Sequence, residues 1–292
     1  VIAILFGLAT AVLWAATLLG AARSTRLIGS WSTLAWIMLI GLVVAVPLVV
    51  LTAGPVAFDQ RDIFHLAVAG IANTAGLLLV YAALRRGKVG VIGPIVSTEG
   101  AIAATLAVLD GDPVTLIAVG LLAVITVGVI MAASEPSSEP PPSPGDAAPT
   151  VPIPSAAATA LLALSGAVLF GINLYVTSRI AVDLPVAWAI LPARLAGVIG
   201  VAIPLILSRR LQLVRPAVPF VLLVGLAEVA GVATFSFGAR ESAAVTSVIA
   251  SQFAGIAAVL AFLLFGERLG RLQVVGVVVI AIGVGALAAA QA

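Results

Sequence analysis

Three ionisable side chains stand where an apolar chain should not tolerate them. Glu99, Arg194 and Glu228 each lie near the middle of a long stretch of otherwise apolar residues. A charge at the centre of a lipid-embedded helix costs about 2.5–3.5 kcal/mol on insertion scales, so each of the three needs a compensating role. The two carboxylates are suited to taking up a proton or to meeting a substrate amine. Arg194, two residues beyond Pro192, is suited to binding a substrate carboxylate or to serving as a counter-ion. The competing reading is structural: an Arg194–Glu228 or Arg194–Glu99 ion pair that fixes helix packing. Asn73, Asn173 and Gln252 are uncharged polar residues in similar surroundings, and they divide between cavity lining and interhelical hydrogen bonding. Trp14 and Tyr175 offer aromatic walls to a solute, or plain packing.

Other chemistries find little support. The chain has one histidine and no cysteine, so disulfides, thiolate metal sites and the usual histidine–acid metal clusters have no ligands to draw on. No cofactor is expected. His65 has no identifiable partner for activating a serine, and Asp110-Gly111-Asp112 is a poor substitute for facing catalytic carboxylates. No nucleotide-binding motif stands in the sequence, so ATP is not the expected driver, and the chain does not read as an enzyme. Asp112 and Glu267 fall near the ends of apolar blocks and read as caps or loop contacts, while His65 reads as interfacial.

The elements that must position these residues follow from composition. Of 292 residues 62% are apolar and only 9% charged, too little polar surface to clothe a water-soluble globule of this size. A hydrocarbon core about 30 Å thick needs roughly 20 apolar residues per helix. Such blocks recur near 2–21, 31–53, 63–84, 89–109, 114–133, 156–178, 184–207, 217–238, 243–265 and 272–290, which predicts ten transmembrane helices. Strand-like alternation is absent, so the expected class is an all-α membrane protein. The net charge of +2 resides mainly in short loops and speaks for topology, not for nucleic acid. Val1 opens the chain without an initiator Met, as expected of a trimmed start. The first block has neither a basic leader nor a small-residue cleavage site and is expected to be a true span.

Residues 134–155 carry eight prolines with Glu135, Glu139 and Asp146, the composition of a flexible linker. It separates residues 1–133 from residues 156–292, and the two parts are related. A shift of 155 positions lays Gly70 on Gly225, Gly76 on Gly231, Arg85 on Arg240, Gly100 on Gly255, Gly111 on Gly266 and Gly128 on Gly283. At a shift one longer, Ala11-Val12-Leu13-Trp14 meets Ala167-Val168-Leu169-Phe170, and the shorter shift sets Asn73 opposite Glu228. Five spans per half is an odd number, so the second half enters the membrane upside down. Two inverted five-helix repeats are the expected architecture, one suited to alternating access around a shared midplane site. The basic residues Arg23, Arg26, Arg85, Arg86, Lys88, Arg209, Arg210, Arg215, Arg268 and Arg271 follow spans one, three, seven and nine, whereas the opposite loops hold Arg61, Arg179 and Arg240. By the positive-inside rule the first set is cytoplasmic and both termini lie outside.

Gly266-Glu267-Arg268-Leu269, followed by Gln273, Gly276 and Gly283, resembles the ending of each repeat in EamA-type transporters of the drug/metabolite transporter superfamily. Leu109-Asp110-Gly111-Asp112 holds the same place in the first half, and Tyr81, Ala83-Leu84-Arg85-Arg86-Gly87 and Pro94 resemble that family's junction of spans three and four. The region around Trp14 is similar to its first-helix motif. The resemblance extends over essentially the whole chain outside the linker. It implies that spans one to four and six to nine surround a central cavity while spans five and ten pack outside. Ser251-Gln252-Phe253 departs from it, standing where a proline is common early in span nine. Cytoplasmic termini, usual in that family, would also reverse the orientation that the charges indicate.

The expected function is a secondary carrier in the plasma membrane, exporting an amino-acid-like or other small amphipathic metabolite. Its expected partners are the substrate and the lipid bilayer, with no nucleic acid. Transport is expected either to be coupled to protons through Glu99 or Glu228 or simply to run downhill, and the chain would work as a monomer or homodimer. The alternatives are a sensor or assembly protein that keeps the fold without transport, and less readily an intramembrane enzyme.

Overall fold

The computed structural model of the chain describes residues 2–52, 54, 56–109, 117, 120–121, 123–124, 127–128, 131, 156–250, 253–266 and 270–291. Expected span five lies mostly outside these residues, and the Pro-rich segment 134–155 and Gln252 lie wholly outside them. Every regular element among the described residues is helical. In chain order they are α1 (Ile2–Thr52), α2 (Gln60–Leu84), α3 (Val89–Val96), α4 (Glu99–Leu109), α5 (Ala156–Asp183) and α6 (Val186–Gly197). After a π-turn (Val198–Ala202) come α7 (Ile203–Leu207), a 3-10 turn (Arg215–Ala217), α8 (Val218–Ala250), α9 (Phe253–Phe265) and α10 (Arg271–Gln291).

Five stretches are long and apolar enough to cross a bilayer: Ile2–Thr52, Gln60–Leu84, Ala156–Ile180, Val186–Leu207 and Arg215–Glu241. Shorter apolar helices run over Val89–Ala103, Phe253–Phe265 and Val274–Gly283. Large apolar side chains such as Val43, Val50, Leu51, Leu109 and Leu207 are exposed on these helices. A soluble surface would not carry so much contiguous apolar area, whereas lipid accepts it. The chain is an integral membrane protein.

At 51 residues α1 would measure roughly 75 Å if straight, more than twice the hydrocarbon thickness. It is interrupted at Gly29, whose backbone (φ 79, ψ 163) lies in a region that only glycine occupies without strain. The interruption is a reversal. Before it, Gly20, Trp14, Thr10 and Phe6 meet α8 in that order at Val224, Gly231, Thr234 and Phe237. Beyond it the order rises along α8: Trp36 and Ile40 pack with Ala217 and Val221, and Ala45 with Val229. One limb of α1 is therefore antiparallel to α8 and the other parallel. Expected spans one and two correspond to the two limbs of α1, with helix running on through the nine residues between them that were expected to be loop.

Three other boundaries differ from expectation. Span four is two helices, α3 and α4, because Ser97 and Thr98 turn their hydroxyls back onto the carbonyls of Pro94 (2.8 Å) and Ile95 (2.7 Å) and the helical ladder stops there. Span seven carries a π-turn, in which the Ile203 N–H reaches back five residues to Val198, ahead of Pro204, which has no N–H to give. Helix α8 continues through Gly238–Ser242, where a loop was expected. A Cβ on Gly238 would lie 2.7 Å from the Thr246 hydroxyl. Eight residues of straight helix span about 12 Å, so α8 bends back on itself here.

The turns sort to two ends. Arg26 donates to the Gly87 carbonyl (3.1 Å), Trp36 Nε1 donates to the Gln212 carbonyl (3.0 Å), and the Gln212 N–H donates to Ser32 Oγ (3.2 Å). These bonds gather residues 23–36, 85–88 and 208–217, with eight basic residues and no acidic one, at one end of the molecule. At the other end Arg240 donates to the Leu184 carbonyl (3.1 Å) and the rings of Phe58 and Trp188 meet edge to face at 4.7 Å. Charges of both signs, Asp59, Arg61, Asp62, Arg179, Arg240 and Glu241, belong to this end.

Candidate functional site

A cavity lies between the two ends, walled by the first limb of α1 and by α2, α3, α4, α5, α6, α8 and α9. Helical spacing puts its residues on single faces: Asn73, Leu77 and Val80 on α2, Phe170, Asn173 and Thr177 on α5, and Glu228, Val232 and Phe235 on α8. It leaves about 90 Å³ for water-sized centres, several times the roughly 10–15 Å³ that one water needs by the same measure.

Arg194 is wholly buried, the largest side chain among the described residues to be so. Its NH2 group donates to Glu228 Oε1 at 3.3 Å and its NH1 group approaches Met38 Sδ at 3.7 Å. Gly41 makes room for it, since a Cβ there would stand 2.7 Å from Arg194 Cδ. The helix that carries it is tied to α2 by the Thr74 hydroxyl, which donates to the Ala193 carbonyl (3.2 Å). Of the two ion pairs open to Arg194 on the sequence, the one with Glu228 forms. Nε of Arg194 has no hydrogen-bond partner among the described residues.

Glu99 opens α4 immediately after the break in span four, so its carboxylate stands at a helix N-terminus, where unpaired N–H groups and the dipole favour negative charge. It is buried and makes no ion pair or hydrogen bond among the described residues. Charges on the cavity wall therefore comprise a matched pair and one carboxylate without a counter-charge. Asn73 Oδ1, the Tyr81 hydroxyl and the Thr17 hydroxyl on the same wall also lack described partners, and each is a group that can accept a proton donor from a ligand.

The rest of the wall is aromatic. Trp14 stacks on Phe235 with ring centroids 5.7 Å apart and meets Phe253 edge-on at 5.9 Å, and Phe170 closes another side. Two glycines let these rings close in. A Cβ on Gly231 would stand 2.6 Å from Trp14 Nε1, and one on Gly76 would stand 2.8 Å from Phe170 Cδ1.

Six of the eight candidate residues, Trp14, Asn73, Glu99, Asn173, Arg194 and Glu228, thus border one cavity. Tyr175 does not. Its ring lies under the Arg179 guanidinium, 5.2 Å from the centroid, on a helix face that packs with Val176 and Ile180. Gln252 falls outside the described residues. Thr17, Tyr81, Phe170, Phe235 and Phe253 border the cavity without having stood out in the sequence as site residues. Of these Phe170 had a usable signal, its match to Trp14 in the repeat.

Residues 1–134 match the EamA-like transporter family. The match covers just under half of the chain. The EamA-like segment supplies Trp14, Asn73 and Glu99 to the cavity and ends where the Pro-rich segment begins. One solved crystal structure is similar over 99% of this chain and 96% of its own, at 16% identity and a TM-score of 0.67. Identity that low carries the fold alone, but the fold it carries extends well past the EamA-like segment. No curated protein matches the chain.

Proposed function

We propose that the chain is a secondary transporter that carries a small amphipathic metabolite across the plasma membrane by alternating access. Its two inverted five-helix repeats, residues 1–133 and 156–292, would close around the cavity and be joined by residues 134–155. The observation that carries this reading is a cavity at mid-helix depth with room for several waters, holding one paired and one unpaired carboxylate and walled by helices from both halves. The match of residues 1–134 to a transporter family supports it.

Repeat-related contacts support the inverted arrangement. Gly76 with Phe170 and Gly231 with Trp14 are the same contact under the sequence shift, once with each half supplying the glycine. The cavity wall repeats this in Thr17 and Asn173, Leu18 and Leu174, Asn73 and Glu228, Leu77 and Val232, and Val80 and Phe235. Helix α5 passes α2 in antiparallel fashion, Phe170 beside Gly76 and Gly166 beside Val80, as the first limb of α1 passes α8. A pair of packings related by exchange of the halves is what alternating access needs.

In this reading Arg194 is the counter-ion of Glu228, and Glu99 carries the coupling proton or the substrate amine. An ionised carboxylate without a partner in a lipid-embedded cavity bears its whole desolvation cost, and either a proton or a cationic group removes that cost. The basic end faces the cytoplasm by the positive-inside rule, and transport runs outward. Counterflow in proteoliposomes tests the assignment, comparing wild type with Glu99→Gln and Arg194→Ala on candidate amphipathic metabolites. Both substitutions are expected to reduce flux at least about tenfold, as losing a desolvated charge contact does. A transported solute that all three proteins carry equally would strip both residues of their proposed roles.

A further inference from the structure

The cavity's own charges and unpaired groups discriminate among amphipathic solutes. This inference rests on the transport reading and narrows its substrate. Across the cavity wall Arg194 and Glu228 cancel, and the carboxyl of Glu99, when ionised, is the one charge of the described wall left without a partner. Two further groups that lack described partners, the Tyr81 and Thr17 hydroxyls, can either accept or donate, and Asn73 Oδ1 can only accept. Nε of Arg194 is a cationic N–H on this wall that also lacks a partner among the described residues. A substrate carboxylate placed there would lie beside Glu228, on a guanidinium whose charge is already neutralised. Like-charge repulsion in a dry site would follow. A hydroxyl or carbonyl oxygen could satisfy Nε without that cost.

The aromatic wall points the same way. Trp14, Phe170, Phe235 and Phe253 expose ring surface to a space that also contains an uncompensated carboxylate. Ring faces are negative by their quadrupole and attract cations, and they offer nothing to anions. We infer that the cavity recognises an organic monocation, an amine with an aromatic or aliphatic body, in preference to a zwitterionic amino acid or an organic acid, with Glu99 as its counter-ion.

A matched series tests this on the purified full-length protein: phenethylamine, phenylalanine and 3-phenylpropanoate, which share one ring and differ in charge. Binding is measured by calorimetry in detergent and counterflow in proteoliposomes. Phenethylamine is expected to bind about thirtyfold or more tightly than either companion, the margin of a desolvated charge pair. Glu99→Gln should erase that margin, and Glu99→Asp, which keeps the charge, should restore much of it. Trp14→Leu, at an uncharged wall position, should weaken phenethylamine about three- to tenfold and leave the other two probes unchanged. The inference fails if phenylalanine or 3-phenylpropanoate binds as well as the amine, if none of the three binds, or if Glu99→Gln keeps the amine preference. Tight amine binding without counterflow would uphold the cation site and remove the transport reading. Counterflow of phenylalanine with no preference for the amine would do the reverse.

Discussion

Helices α2 and α8 bring corresponding positions to the cavity with different chemistry. From α2 come Asn73, Leu77 and Val80; from α8 come Glu228, Val232 and Phe235, each 155 residues further on. The apolar pairs are interchangeable in kind, whereas Asn73 and Glu228 are not. The other two charges also lack charged counterparts: Glu99 corresponds to Ala254 and Arg194 to Leu39. The corresponding wall positions thus match in their packing and differ in their ionisable groups. Packing symmetry is what two exchangeable states require, and a single substrate has no reason to be symmetric. Under the proposed transport the paired charges, both in the second half, would belong to the frame, and the unpaired one in the first half would be left for the solute.

That division has a measurable form, and the largest effect falls on the paired side. Arg194→Ala leaves Glu228 buried without its partner, and is expected to destabilise the protein by about 3–5 kcal/mol. Replacing both, with Arg194→Met and Glu228→Leu, should recover most of the loss, since well-packed apolar residues often match a buried pair. Glu99→Gln removes no described partner and should change stability by less than about 1 kcal/mol while acting strongly on transport. Unfolding in detergent followed by circular dichroism reads all three. Equal destabilisation by Arg194→Ala and Glu99→Gln would erase the distinction between frame and ligand site.

The difference between the halves was only partly legible in the sequence. Glu99, Arg194 and Glu228 stood out because charge inside an apolar block has few explanations. Their pairing was not readable, since it depends on Gly41 opening space for the Arg194 stem and on which carboxylate α8 carries into reach. Thr17, Phe235 and Phe253 gave no signal as site residues, because hydroxyls and rings are ordinary along membrane helices, and Tyr81 entered only through the family resemblance. Glu99's place at a helix N-terminus was hidden too. The break at Ser97 and Thr98 depends on two hydroxyls turning inward, and both residues fit an unbroken helix equally well by hydropathy. Spans one and two were legible as two blocks, but helix on both sides of Gly29 was not, since a reversal made at one residue needs no loop.

A more moderate effect tests the packing symmetry itself. Gly76→Val and Gly231→Val push a branched side chain into Phe170 and Trp14, and overpacking of this kind costs about 1–3 kcal/mol. If the two contacts are the same contact made twice, the losses should agree within about 1 kcal/mol, and the double variant should be additive because distinct rings absorb the strain. Thermal unfolding of the two single variants and the double one decides this. A large cost at one glycine and none at the other would break the correspondence where the sequence repeat is strongest.

The smallest effects sharpen the comparison at two turns. Gly29 reverses the chain within α1, and Gly266 ends α9 with its N–H donating to the Phe262 carbonyl at 3.1 Å. A Cβ added at either would meet nothing within 4 Å, so any cost of substitution is conformational and not steric crowding by neighbours. Their backbones differ. Gly266, at φ 64, is compatible with the left-handed helical region, which asparagine tolerates, whereas Gly29, at φ 79 and ψ 163, lies where only glycine is at ease. Alanine at either site should cost about 1–2 kcal/mol. Asparagine should recover part of that at Gly266 and none at Gly29, as read from the unfolding midpoints of the four variants. Recovery at Gly29 would mean that the reversal between the two limbs of α1 is a common left-handed turn and not the glycine-only bend that sets their directions against α8.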